Sequence, residues 1–189
     1  MITVMVLFLI LWPGWRFPFD VYSLVAGLIL IVLGFVLRLW CIRQIGGAAR
    51  KTSVAKADVV ITWGPFGWIR NPIYVANMTC FAGCTVLCGM LWALPVLLGI
   101  MALQYSSTVR FEETFLRQKF GEEYERYTKE TPRWFALPRW KPSPESHVPY
   151  PCKKILKRER GFIFGLVFGV GLAVSFVRVV IPWIFQSLG

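Results

Sequence analysis

Tyr74 to Val109 reads YVANMTCFAGCTVLCGMLWALPVLLGIMALQYSSTV, 36 consecutive residues without a charged side chain. As one straight helix rising 1.5 Å per residue it would reach about 54 Å, far beyond the roughly 30 Å hydrocarbon core of a bilayer. The chain must therefore turn back. Cys88-Gly89 through Pro95 is the expected reversal, leaving two arms of about 17 residues each, the short end of what spans a membrane. Both ends of this hairpin emerge on one face, near Arg70 and at Arg110.

Directly upstream, residues 58–74 read DVVITWGPFGWIRNPIY. Trp63-Gly64-Pro65-Phe66-Gly67 is a turn by composition, since Gly supplies unusual backbone angles and Pro fixes one of them. Asn71 is a good N-cap, whose side-chain oxygen can accept an orphan backbone N–H, and Pro72 suits the first helical position. A helix start with free N–H groups and Arg70 beside it offers a site for a carboxylate or phosphate. The same residues also read as no more than a capped membrane helix with a basic interface anchor.

Across the whole chain 56% of residues are hydrophobic and the mean hydropathy is +0.57, which identifies an integral membrane protein. The formal net charge of +11 would point to nucleic acid in a soluble protein. Here the basic residues flank apolar runs, so the charge reads as topology and anionic-lipid contact, with no nucleic-acid partner. Five cysteines form no CxxC, and His147 is the only histidine, so no metal site is expected. Cys80, Cys84 and Cys88 repeat every four residues, a face suited to packing against a neighbouring helix.

Met1 to Trp12 reads as a short first membrane helix or one lying partly within the bilayer, and Val21 to Trp40 as the second crossing. Gly27 and Gly34 lie on one face of it, where a neighbour can approach closely. Arg38 to Arg70 carries six Lys or Arg against the lone Asp58, which places this loop in the cytoplasm. Arg110 to Glu130 reads as amphipathic helix, with Phe111, Phe115, Leu116 and Phe120 at helical spacing and Glu113–Arg117 and Glu125–Lys129 four apart. Gly121 is expected to divide it and Thr131-Pro132 to end it. Arg133 to Pro151 reads as ordered coil along the membrane surface. Lys153 to Arg160 reads as a solvated basic anchor. From Phe162 a last crossing follows, with Gly161, Gly165 and Gly169 as a packing ridge through which the chain could form an oligomer, and with Arg178 snorkelling to the far interface. The expected fold is all-α: a polytopic membrane helical bundle of about five crossings with a cytoplasmic helical cofactor-binding region. It forms a single domain over 1–189, with core motifs in 55–140 and an extra C-terminal crossing at 161–188.

The hairpin brings Arg70, Asn71 and Tyr74 toward Glu112 and Glu113. A carboxylate pair near a helix C-terminus opposes the dipole and asks for a cationic partner. Arg110 or Arg70 could supply it, or a zwitterionic ligand could, its ammonium on a Glu and its carboxylate on the N–H groups and Arg70.

RNPIY at 70–74, followed by EETFLRQKFGEEYERYTKETPRW at 112–134, closely resembles the isoprenylcysteine carboxyl methyltransferase family and its phospholipid methyltransferase relatives. The resemblance covers residues 55 to 140, and the order and spacing of the glycine-proline-aromatic turn, Arg-Asn-Pro-x-Tyr, hairpin, Glu-Glu and Phe-Gly-x-x-Tyr-x-x-Tyr all match. It implies S-adenosylmethionine at the cytoplasmic face, with S-adenosylhomocysteine as product, and a lipid-like acceptor entering from the bilayer. Carried over by position, Asp58, Val59, Val60, Ile61, Phe66, Asn71, Pro72 and Tyr74 would line the cofactor, and Glu112 would hold its amino-acid end. Arg70, Glu113 and Arg110 are the candidate catalytic residues, with Glu113 the base if the acceptor is an amine. Two departures stand out: Ala76 where many relatives have Gly, and Thr108 where animal members have a substrate-orienting arginine. The acceptor suggested first is an isoprenylcysteine-type carboxylate. Phospholipid amines and small thiols are enzymatic alternatives, and a non-catalytic membrane scaffold or channel subunit is a different class.

Overall fold

The expected reversal is built by backbone hydrogen bonding at Gly89. In a computed structural model describing residues 21–45, 59–136, 141–145 and 149–175, all regular structure is helical. Five α-helices occur among the described residues: α1 Val21–Ile45, α2 Pro72–Leu87, α3 Leu94–Phe120, α4 Glu122–Glu130 and α5 Cys152–Ser175, with 3-10 turns at Gly64–Gly67 and Leu91–Ala93. At the end of α2, Gly89 takes φ 71° while its N–H donates to the Val86 carbonyl and the Met90 N–H to that of Thr85. This paired closure needs a left-handed residue, which Gly adopts without a Cβ penalty. Gly121 ends α3 at φ 51°, its N–H donating to the Arg117 carbonyl at 2.9 Å, so the expected break is present.

The most extensive helix packing is between α1 and α2. Small residues let the two backbones touch: a Cβ at Gly27 would lie 2.8 Å from the Gly83 oxygen, one at Gly83 2.7 Å from the Gly27 oxygen, and one at Gly34 2.7 Å from the Cys80 nitrogen. Cys80 and Ala76 are wholly buried in this seam, and the Cys80 thiol reaches the Ile31 carbonyl at 3.7 Å. The Gly27–Gly34 and Cys80–Cys84 faces expected to pack thus pack on each other, whereas a Cβ at Gly161, Gly165 or Gly169 would meet nothing within 4 Å. Gly83→Ala should destabilise the detergent-solubilised protein by about 1–3 kcal/mol, the usual cost of overpacking. Gly165→Ala, where a Cβ meets nothing within 4 Å, should leave the melting temperature unchanged.

Two helices, Val21–Ile45 and Leu91–Phe120, are long and apolar enough to cross a membrane. Only 22% and 17% of their most apolar windows is buried within the protein, so their apolar surfaces face outward as in lipid-exposed helices. This supports a membrane protein; among the described residues two helices meet that test, and the five crossings expected are not confirmed. α2 has 16 residues, and α5 carries the basic run Lys153–Arg160 as its own first turns. That run is therefore helix and not a separate anchor, because Lys, Arg and Glu are good helix formers and Ile155 and Glu159, four apart, share a buried face. Met1 to Trp12, the Asp58 end of the loop, His147 and Arg178 lie outside the described residues.

α3 continues unbroken from the hairpin into the amphipathic stretch, so the arm that crosses also carries Glu112 and Glu113. Beyond Gly121, α4 folds Tyr124 and Tyr127 against Val60, with Leu116 and Phe120 packed on them. The pairs expected along one helix are made across corners instead: Arg117 meets Glu125 at 2.9 Å around Gly121, and Glu113 meets Arg133.

Candidate functional site

The turn at 63–67 is held from three sides. Gly64, at φ 58°, donates its N–H to the Lys141 carbonyl at 3.0 Å, and the Tyr127 hydroxyl donates to the Phe66 carbonyl at 2.7 Å. A Cβ on Gly67 would press to 2.9 Å from Lys141 Cβ, so the coil closes directly over the turn. Trp68 meets Trp40 of α1 edge-on, with centroids 5.1 Å apart. The turn thereby fixes where α2 begins.

Asn71 occupies the N-cap of α2 and Pro72 the first turn, as expected, but the Asn71 side chain makes no capping bond. Its Nδ2 donates instead to the Arg133 carbonyl at 3.3 Å, while the Arg70 N–H donates to the Pro132 carbonyl at 2.9 Å. The returning 131–133 segment outcompetes the local cap. In exchange, α2's first turn is tied to the chain that follows α4.

The two adjacent glutamates have different surroundings. Glu113 is 2% exposed and accepts from Arg133 Nε at 3.0 Å and Arg133 Nη2 at 2.6 Å, with Arg70 Nη1 at 3.5 Å. Bonding to Glu113 raises the Arg133 guanidinium above its ordinary value. Burial pushes the neighbouring Tyr124 phenol up to about 12, so it stays neutral there. Glu112, half-buried, accepts from the Tyr74 hydroxyl at 2.8 Å and, among the described residues, has no cationic partner. The hairpin does bring the start of α2 to the glutamate pair, and among the described residues it leaves one carboxylate of the two without a countercharge.

Asn71, Pro72, Tyr74 and Glu112 converge at this end of the hairpin. Arg70 and Glu113 lie beside them, bound to each other. Val60 is buried against Tyr124 and Tyr127, Ile61 is half-buried, Phe66 contributes its carbonyl to the turn, and Val59 is 51% exposed. Arg110 is exposed, and Thr108 donates only to the Gln104 carbonyl of its own helix. Asp58 lies outside the described residues.

Sequence reasoning missed Arg133, Asn77, Tyr105, Arg38 and Glu159. Arg133 sits in the quoted PRW end of the motif, but nothing local shows that it folds back twenty residues to Glu113. Asn77 and Tyr105 were visible as polar groups inside apolar arms, the type of residue that membrane segments retain only with a partner.

The phospholipid methyltransferase family matches residues 22–123. The cobalt-zinc-cadmium resistance protein CzcN of Cupriavidus metallidurans is 32% identical over 125 residues, which cover 66% of this chain and 53% of that protein. The nickel-cobalt-cadmium resistance protein NccN of Alcaligenes xylosoxydans xylosoxydans is 29% identical over 112 residues, covering 59% and 49%. The chain thus spans about half the length of the curated relatives it matches. No solved structure matches.

Proposed function

The chain belongs to the phospholipid methyltransferase family, and from that premise we propose that it methylates a lipophilic acceptor at the cytoplasmic face of the membrane, using S-adenosylmethionine. The observation that carries this reading is the Glu112 carboxylate, oriented by Tyr74 and lacking a cation among the described residues, beside the start of a helix. A carboxylate beside the positive end of a helix dipole fits the two ends of an amino-acid zwitterion, ammonium on Glu112 and carboxylate at the start of α2. The bound sulfonium supplies a methyl group that is already reactive.

What remains for the protein is alignment and exclusion of water. Tyr74 and Asn71 hold the site's two walls together, one through Glu112 and the other through the Arg133 carbonyl. Glu113, considered as a base, has its oxygens taken up by Arg133 and Arg70, and its work is to hold those two cations in place. A carboxylate or thiolate acceptor, which has no proton to lose, therefore suits the site better than an amine. An isoprenylcysteine-type carboxylate is one such acceptor.

The test is titration of the full-length protein in detergent with S-adenosylmethionine and S-adenosylhomocysteine, followed by transfer of labelled methyl to a prenylcysteine, a long-chain thiol and a phosphatidylethanolamine. Saturable binding of both nucleosides and labelling of the carboxylate or thiol ahead of the amine are expected. Folded protein that binds neither would replace this reading with that of a non-catalytic membrane scaffold.

A further inference from the structure

Three helices meet at one guanidinium, and a fourth joins them through Asn77. Arg38, near the end of α1, donates from Nε to Glu159 Oε2 of α5 at 2.6 Å and from Nη1 to Asn77 Oδ1 of α2 at 2.6 Å. Phe162 covers its face, 4.1 Å from ring centroid to guanidinium carbon. Asn77 Nδ2 then donates to the Tyr105 hydroxyl of α3 at 3.3 Å. The Tyr105 ring lies 4.6 Å from that of Tyr74, which holds Glu112. A continuous path runs from α5 to the carboxylate of the candidate site.

Among the described side chains of α5, Ile155 and Glu159 are the buried positions. One of the helix's two anchors is therefore a charge, 121 residues from its partner in sequence. Stability does not require this, because well-packed apolar residues often do as well as a buried ion pair, or better. An ion pair differs from an apolar contact in fixing direction: a guanidinium bound at Nε by Glu159 presents Nη1 at one angle only, and that nitrogen orients Asn77. Glu159 lies beyond residue 123, where the family match ends, whereas Arg38, Asn77 and Tyr105 lie within it.

We propose that Arg38, Glu159, Asn77 and Tyr105 are positioning residues that make α5 part of the active site. Glu159 sets the guanidinium, and through Asn77 and Tyr105 the guanidinium sets the Tyr74–Glu112 bond. The functional consequence rests on the methyltransferase reading; the coupling between helices does not.

Hydrogen-exchange mass spectrometry and S-adenosylmethionine titration on the full-length protein test both parts, using Glu159→Gln, Tyr105→Phe and the double variant. In Glu159→Gln, exchange should rise several-fold in 73–78 and 104–112 and stay unchanged at the hairpin tip, 85–92. Binding should weaken about ten-fold, the size of one lost hydrogen bond to a charged group. The double variant should bind no worse than the weaker single, because both changes cut one path. Unchanged exchange, a rise spread evenly over the hairpin, or losses that multiply in the double variant would each overturn the coupling. If Glu159→Gln does not fold, Glu159→Asp keeps the charge with a shorter reach and should give the same exchange pattern at smaller amplitude. A wild type that binds no S-adenosylmethionine removes the proposed function, and the exchange pattern still decides the coupling.

Discussion

Glu112→Gln should bind S-adenosylmethionine at least about 30-fold more weakly, because truncating one partner of a desolvated charge pair costs about 2–5 kcal/mol. The amide keeps the shape of the carboxylate and can still accept from Tyr74, so the hairpin contact at 2.8 Å survives the change. Only the charge that would meet the ligand's ammonium is lost. Circular dichroism and melting temperature should therefore stay at wild-type values while titration shows the loss. Wild-type affinity in the variant would remove Glu112 from the cofactor site.

Glu113→Ala should have the opposite signature, a fall in stability of about 3–5 kcal/mol, as expected when one member of a buried ion-pair network is removed. The reason lies in what is left behind. Arg133, with 35% of its side chain exposed, can turn to solvent, but Arg70 has only 12% exposed and would keep an uncompensated charge. Arg133→Ala should cost less, since Glu113 retains Arg70 at 3.5 Å. Denaturation of the purified variants checks the ordering. Equal losses would mean that the cluster does not divide its roles in this way.

The parts of this structure that were legible in the sequence are those governed by nearby residues or by the membrane itself. The uncharged length of 74–109 requires a hairpin, Gly89 and Gly121 mark corners that need positive φ, and Gly27 and Gly34 mark the face on which α2 lies. What escaped was set by partners distant in the chain. The Asn71 side chain leaves its cap for a carbonyl 62 residues away, and Glu113 prefers Arg133 to the expected Arg117 four residues on. Glu159, an acid among cations in KKILKRERG, looked like one solvated charge among several until α1 supplied Arg38. The RNPIY and Glu-Glu motifs point to the candidate site, but which glutamate lacks a countercharge among the described residues depends on the fold of residues 131–133.

The 16 residues of α2 rise only about 24 Å, some 6 Å less than a typical hydrocarbon core. Locked to α1 by backbone contacts at Gly27, Gly34 and Gly83, this short arm cannot lengthen its reach by moving alone. The bilayer meets such a mismatch by thinning locally, at a fraction of a kcal/mol per Å. Around a crossing α2 this would draw lipid headgroups inward, toward the Tyr74–Glu112 end of the hairpin. For the proposed reaction, membrane thickness would then be a variable, since the surrounding lipid would set how far a hydrophobic acceptor must rise out of its leaflet to reach the candidate site.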